Sequence, residues 1–211
     1  GYHEIVSNLA LGLVKRGFKL GDVIGLIGDN KPSWLFFELA AQAVGGMSLG
    51  IYRDTLDEEV GYLIDAAKVN FAFAEDQEQV DKLLAIKRTK NNKITIFYED
   101  SRGLKELNDP HIIDMVQLIN EGKAIAAKNQ NSYNKLIDSI HADQNAILCT
   151  TSGTTSNPKL AMLPGGKFIE HVVRYLNVDP KTIEDEYVSV LPFPWIMKQT
   201  YAVGFNIVGG M

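Results

Sequence analysis

The stretch Thr150-Thr151-Ser152-Gly153-Thr154-Thr155-Ser156-Asn157-Pro158-Lys159-Leu160 crowds Ser and Thr hydroxyls around one Gly and ends in a Pro and a cation. Successive backbone N–H groups in a tight Gly-containing turn can converge on one anion. Hydroxyls add further donors. Pro158 stiffens the exit, and Lys159 supplies a point charge able to reach a phosphate. The composition suits a polyphosphate. A solvated Ser/Thr surface loop has the same composition, and residue types alone weigh the two readings about equally. The stretch is not a Walker A loop, which needs G-x-x-x-x-G-K-[ST]; here Lys159 lies between Pro158 and Leu160.

Placement adds information. The apolar run Ala146-Ile147-Leu148-Cys149 immediately before the stretch reads as a strand that feeds it. Upstream, helical and extended patterns alternate. Apolar spacing predicts a helix over residues 3–16, stopped by Gly17, and a buried strand over 23–27. A second helix starts at Asn30-Lys31-Pro32-Ser33 and ends before Gly45-Gly46. Strands over 47–52, 70–74 and 93–98 and helices over 57–67 and 77–88 continue the cycle. Such units predict an α/β fold, a parallel-rich sheet flanked by helices. Ligands in such sheets sit beyond the carboxyl ends of the strands. Residues 108–144 read as a polar, mobile connection with weak helical signals at 112–119 and 133–140. After an irregular turn over 151–159, the pattern predicts a helix over 168–176 and a strand over 187–191. The aromatic turn Pro192-Phe193-Pro194-Trp195 follows.

Composition narrows the function. The 211 residues are 45% hydrophobic and 22% charged, ordinary for a globular protein, and the formal charge is −5. No basic excess argues for a nucleic-acid surface. The single cysteine, Cys149, makes no internal disulfide and reads as a small hydrophobe, which suits a reduced, cytoplasmic setting. No stretch approaches the roughly 18 apolar residues of a membrane-spanning helix; peripheral membrane contact stays open. His3, His111, His141 and His171 show no metal-ligand spacing. Trp34 reads as a core anchor, and the acidic run around Asp57 as a helix start.

The order of residues, beyond their types, carries a resemblance. Thr151-Ser152-Gly153-Thr154-Thr155-Ser156-Asn157-Pro158-Lys159 resembles the phosphate-binding signature Thr-Ser-Gly-Thr-Thr-Gly-x-Pro-Lys-Gly of the adenylate-forming (AMP-binding) superfamily. Gly21-Asp22-Val23-Ile24-Gly25-Leu26, Asp29-Asn30-Lys31-Pro32-Ser33-Trp34 and residues 40–52 look like that superfamily's N-terminal domain. Leu191-Pro192-Phe193-Pro194-Trp195 resembles the Leu-Pro-x-x-His segment of the long-chain fatty acyl-CoA synthetases. The resemblance implies that residues 1–211 form the N-terminal part of an AMP-binding domain. It implies ATP, Mg2+ and CoA as co-substrates and cofactor, with a fatty acid as substrate. The acid is activated as an acyl-adenylate and then transferred to CoA. By the same resemblance Thr151 sits near the metal-bound phosphates, Ser152 through Ser156 cradle the β/γ end, Lys159 neutralises it, and Trp195 faces the acyl or nucleotide pocket.

The departures are specific. Ser156 and Leu160 stand where the signature has Gly, Pro164-Gly165 where a Ser/Thr-His pair is usual, and Lys198 where long-chain enzymes carry Glu. Side chains at the two Gly positions are expected to weaken phosphate binding through Ser156, with Leu160 turned to the core beside Met162. The chain opens without Met and lacks the superfamily's later Mg2+, ribose and C-terminal catalytic motifs, as a piece of a longer protein would. Three readings follow: part of a long-chain acyl-CoA ligase, inactive alone; a non-catalytic ATP- or acyl-binding domain of the same descent; or an unrelated nucleotide-binding α/β domain. The sequence leaves the catalytic residues, acyl-chain length and oligomeric state open.

Overall fold

The structure, a computed structural model, describes residues 1–90, 93–104, 106–107, 109–151 and 158–210. Strand β1 (Val23–Ile27) is buried at every position, as its uninterrupted apolar run demands of a strand covered on both faces. β2 (Met47–Ile51) and β3 (Phe71–Ala74) flank it, both parallel. β4 (Thr95–Tyr98) and β5 (Ile112–Asp114) extend the sheet beyond β3, and β6 (Asn145–Thr151) lies beyond β2, all parallel. β7 (Lys159–Pro164) closes that edge antiparallel to β6. The order is β5-β4-β3-β1-β2-β6-β7.

The winding reverses twice: β2 lies on one side of β1 and β3 to β5 on the other, and from β5 the chain returns across the sheet to β6 beside β2. Right-handed crossovers must change faces at such a reversal, and the helices do. α1 (Tyr2–Lys15), α2 (Pro32–Ala43) and α5 (Met115–Lys128) cover one face, over Leu9, Leu13 and Ile24. There Phe37 stacks on Phe73 and Phe97, with ring centroids 4.5 and 5.6 Å away. α3 (Asp57–Ala66) and α4 (Gln77–Lys90) cover the other, over Val60, Leu63, Val80 and Ile96. The first turn of α3 carries Asp57, Glu58 and Glu59, where the helix dipole favours them.

Three regions differ from the sequence expectation. Residues 108–144 are not a loose connection. They supply the parallel edge strand β5, the long helix α5 and the short α6 (Ser132–Ile137). Asp114 caps α5 by accepting the Val116 N–H at 2.6 Å. Leu118 is fully buried, and Gly122 lets α5 lie directly on the Asn8 backbone of α1. Residues 187–191 form no strand. Val188 and Val190, whose alternation suggested one, are 76% and 73% exposed. The third region is β7, where a strand precedes the expected helix; α7 (Gly165–Val178) then follows directly.

A Cβ at Gly122 would stand 1.8 Å from the Asn8 carbonyl oxygen, which is backbone and cannot swing aside. Gly122→Ala is therefore expected to destabilise the chain by about 1–3 kcal/mol or more. In Gly165→Ala the nearest neighbour is 3.5 Å away, and the change should stay within about 0.5 kcal/mol. Urea unfolding of the two variants checks the pair; equal stabilities would contradict the close α1–α5 crossing.

Candidate ligand cleft at the carboxyl edge of the sheet

Thr151 ends β6 and Lys159 begins β7, and the two are direct register partners. Thr151 Oγ1 donates to the Lys159 carbonyl at 3.3 Å. Both ends of the hydroxyl-rich stretch thus stand side by side at the carboxyl edge of the parallel strands. Of the irregular turn expected over 151–159, Thr151 and Lys159 belong to strands. Ser152, Gly153, Thr154, Thr155, Ser156 and Asn157 lie outside the described residues. Leu160 is half-buried and packs against the core under α3 and α4, whereas Met162, expected beside it, is 61% exposed.

The cleft beside these residues has a structural cause. β2 pairs with β1 along its whole length but with β6 only at Ser48–Ile147 and Leu49–Leu148. Beyond Leu49 and Leu148 no further β2–β6 pairs form, and Pro194 packs on the face of the sheet over Gly50. A Cβ on Gly50 would meet Pro194 Cα at 2.7 Å, so the bare Gly50 backbone is what admits the proline. Trp195 follows at 45% exposure. The resulting cleft, about 520 Å³, is lined by Gly50, Tyr52, Thr150, Thr151, Pro158 and Trp195. The structure therefore brings Thr151, Pro158 and Trp195 to one cavity; Lys159, next after Pro158, is exposed and does not line it.

Contacts from α2 and the loop before it hold the aromatic turn. The Trp34 and Phe193 rings stack with centroids 4.7 Å apart, 9° from parallel. Asn30 Nδ2 donates to the Ser189 and Leu191 carbonyls at 3.2 and 2.8 Å. Gln199 Nε2 donates to the Phe193 carbonyl at 3.0 Å. After Trp195 the chain enters α8 (Ile196–Lys198), passes through a π-helical stretch, Gln199–Gly204, and ends in α9 (Phe205–Gly209).

Two ionisable groups are buried in the core nearby: Cys149 lines this cleft, whereas Glu38 lines a larger cavity between α2, α7 and the terminal helices. Glu38, in mid α2, is 1% exposed; Ser48 Oγ donates to its Oε1 at 2.7 Å, and its Oε2 has no hydrogen-bond partner among the described residues. Burial pushes its carboxyl up to about 7, against the pull of Ser48 and Gln199. Burial and the Glu38 charge push the Cys149 thiol up to about 11, so it stays a thiol and not a nucleophile. Neither was singled out in the sequence as a site residue. A Glu inside the apolar run Trp34-Leu35-Phe36-Phe37-Glu38-Leu39-Ala40-Ala41 is the signal that could have found the first.

Two alternative locations are less suited to an anion. The crevice at the winding reversal, between the ends of β1 and β3, is where parallel sheets commonly bind ligands. Here the buried Glu75 fills it, accepting the Asp29 N–H at 2.5 Å and pairing with Lys31 Nζ at 2.7 Å. Burial pushes the Glu75 carboxyl up, but the Asp29 N–H, Lys31 and Arg53 outweigh it and hold it below the ordinary value. A larger, mostly apolar cavity of about 800 Å³ lies between α2, α7 and the terminal helices. It reaches β6 at Asn145–Ile147, the end opposite Thr151, roughly 20 Å away at strand rise. Among the described residues no group of three or more His, Cys, Asp or Glu could hold a metal ion, and no helix is long and apolar enough to cross a membrane.

The family model described as "AMP-binding enzyme" matches residues 2–211. The chain belongs to the AMP-binding enzyme family. Rat long-chain-fatty-acid–CoA ligase ACSBG1 is 28% identical over 215 residues, covering 99% of this chain and 29% of that protein. Human ACSBG2, also a long-chain-fatty-acid–CoA ligase, is 30% identical over 162 residues, 77% of this chain and 24% of that protein. The chain thus spans less than a third of the length of these relatives. Among solved structures, the luciferase-like enzyme of the Zophobas morio mealworm superposes with TM-score 0.77 at 15% identity, over 99% of this chain and 45% of that one. ATP-bound MatB from Rhodopseudomonas palustris does so with TM-score 0.77 at 19% identity, over 99% and 37%. The AMP-binding fold accounts for the mostly parallel sheet described above, including the antiparallel β7 edge.

Glu38 gives this AMP-binding chain a pH signature. Its folded pKa, about 7, exceeds the ordinary 4.5, so the folded state holds the proton longer than the unfolded one. Stability should fall as pH rises from about 4.5 through 7, by on the order of 2–3 kcal/mol. Glu38→Gln keeps an acceptor for Ser48 and removes the titration. The variant should be more stable than the parent at pH 8 and flatten the slope, measured by urea unfolding at pH 5 and 8.

Proposed function

We propose that this chain is the N-terminal, phosphate-loop portion of an ATP-dependent, AMP-forming long-chain fatty acid–CoA ligase. The observation that carries the reading is the seating of the 151–159 stretch: its two ends are strand partners at the carboxyl edge of the sheet, beside a cleft closed by Trp195. A loop so anchored can present N–H groups and hydroxyls to the β- and γ-phosphates. Charge accumulates there as the carboxylate attacks the α-phosphorus, and donors already in place stabilise it without reorganisation. Thr151, with the stretch Ser152, Gly153, Thr154, Thr155, Ser156 and Asn157, supplies those donors; Pro158 fixes the exit and Lys159 meets the terminal charge. Trp195 borders the acyl or nucleotide side. The relatives' activity, long-chain fatty acid–CoA ligation, supports this substrate class. ATP and CoA are the co-substrates. Mg2+ would accompany the phosphates, and no described residue is assigned to it. The chain by itself is inferred not to complete the reaction.

Lys159 is exposed, so its removal should spare the fold. Lys159→Ala should raise the ATP dissociation constant about tenfold, roughly 1.4 kcal/mol, by isothermal titration. Ser156→Gly should lower that constant by restoring backbone freedom. Leu160→Gly should instead cost about 2 kcal/mol of stability through lost packing. ATP affinity unchanged in both Lys159→Ala and Ser156→Gly would overturn the assignment of the loop. With ATP, Mg2+, palmitate and CoA the 211-residue chain should release no AMP; turnover near 1 s⁻¹, an ordinary enzymatic rate of about that order, would contradict the inference that it is inactive alone.

A further inference from the structure

Lys198 is a fully buried cation. Its Nζ lies 4.9 Å from the Phe193 ring centroid and 5.5 Å from that of Tyr187, and it donates to Ser189 Oγ. Its backbone N–H donates to the Trp195 carbonyl at 2.9 Å. All these partners belong to residues 187–195, a strap without regular secondary structure that carries Trp195 to the cleft. Desolvated ammonium groups are attracted strongly to aromatic faces, so one side chain gathers both ends of the strap.

We propose that Lys198 is a positioning residue for the cleft: its ammonium, held by Tyr187, Phe193 and Ser189, ties down the strap and so sets where Trp195 stands against Thr151. The function proposed above says what the cleft holds; the positioning itself does not depend on it. Burial pushes the Lys198 pKa below the ordinary lysine value of 10.5, and no carboxylate among the described residues offsets this. A buried cation without a counter-charge does not favour folding, and an apolar residue of similar volume is commonly neutral or stabilising in such a place. A purely structural lysine would behave in the opposite way. The titratable groups around it are Tyr187 on the strap, Tyr201 in the π-helical stretch, Tyr175 of α7 against Tyr201, and Glu38 of α2 reached through Gln199.

The test reads Trp195 directly. Acrylamide quenching of tryptophan fluorescence is measured in the 211-residue chain, with Trp195→Phe as the reference that isolates the buried Trp34. At neutral pH, Lys198→Met should show clearly greater quenching of Trp195 with a Tm equal to or above that of the parent. On raising the pH, the parent should reach the same accessibility in a step with its midpoint below 10.5, because the neutral amine no longer binds the rings; Lys198→Met should lack that step. Unchanged quenching in Lys198→Met, or greater quenching accompanied by a lower Tm, would overturn the proposal. Should Lys198→Met not fold, the parent's titration decides, and absence of the step overturns it. No nucleotide enters the experiment, so its failure leaves the ATP reading standing, and loss of ATP binding leaves this one standing.

Discussion

β2 is hydrogen-bonded along one side for its full length and along the other for only two residues, and the candidate site follows from that asymmetry. Where a parallel sheet runs without interruption, its carboxyl edge is a closed row of strand ends. Here β2–β6 pairing stops after Leu49 and Leu148. At this end of β2 the bare Gly50 backbone lets Pro194 pack directly on the face of the sheet, beside Trp34. Trp195 is placed by its neighbour, and Thr151 by its own strand. A fully zipped β2–β6 pair would present the same motif on a flat edge, with no cavity beside it.

The central strands were readable because their chemistry is one-sided. A run such as Val23-Ile24-Gly25-Leu26-Ile27 is compatible with little except burial on both faces, and Pro32 with Gly45-Gly46 brackets α2. The motif was readable from residue order, although six of its nine positions lie outside the described residues. The failures share a cause, which is that tertiary partners decided them. β7 has no clear alternation, and β6 recruits it as an edge. Residues 187–191 do alternate, but their carbonyls go to Asn30 instead of a strand. In 108–144 the polar composition hid Asp114 as a cap and Leu118 and Gly122 as the narrow face that α1 accepts.

Two buried ionisable groups, Glu38 and Lys198, show how local cost and global stability trade. Glu38 holds its proton because water is excluded, and Lys198 is drawn toward losing its own for the same reason. Neither ion-pairs with the other among the described residues. Both sit under the element that places Trp195, one through Gln199 and the other through the aromatic rings. A core assembled for stability alone would put aliphatic residues in these positions.

Glu75 also bears on how charged molecules approach the sheet. Its carboxylate occupies the crevice that helix dipoles would otherwise make attractive to anions, and Asp29, Asp76, Glu99 and Asp100 surround it at neighbouring strand ends. Lys31 and Arg53 are committed to these acids. The acids cluster at the ends of β1, β3 and β4 with their cation partners, whereas Lys159 stands at the β6–β7 end of the same row of strand ends. If the loop reading proposed above holds, the acids at the other strand ends would count in selectivity as much as the residues proposed to receive the phosphates.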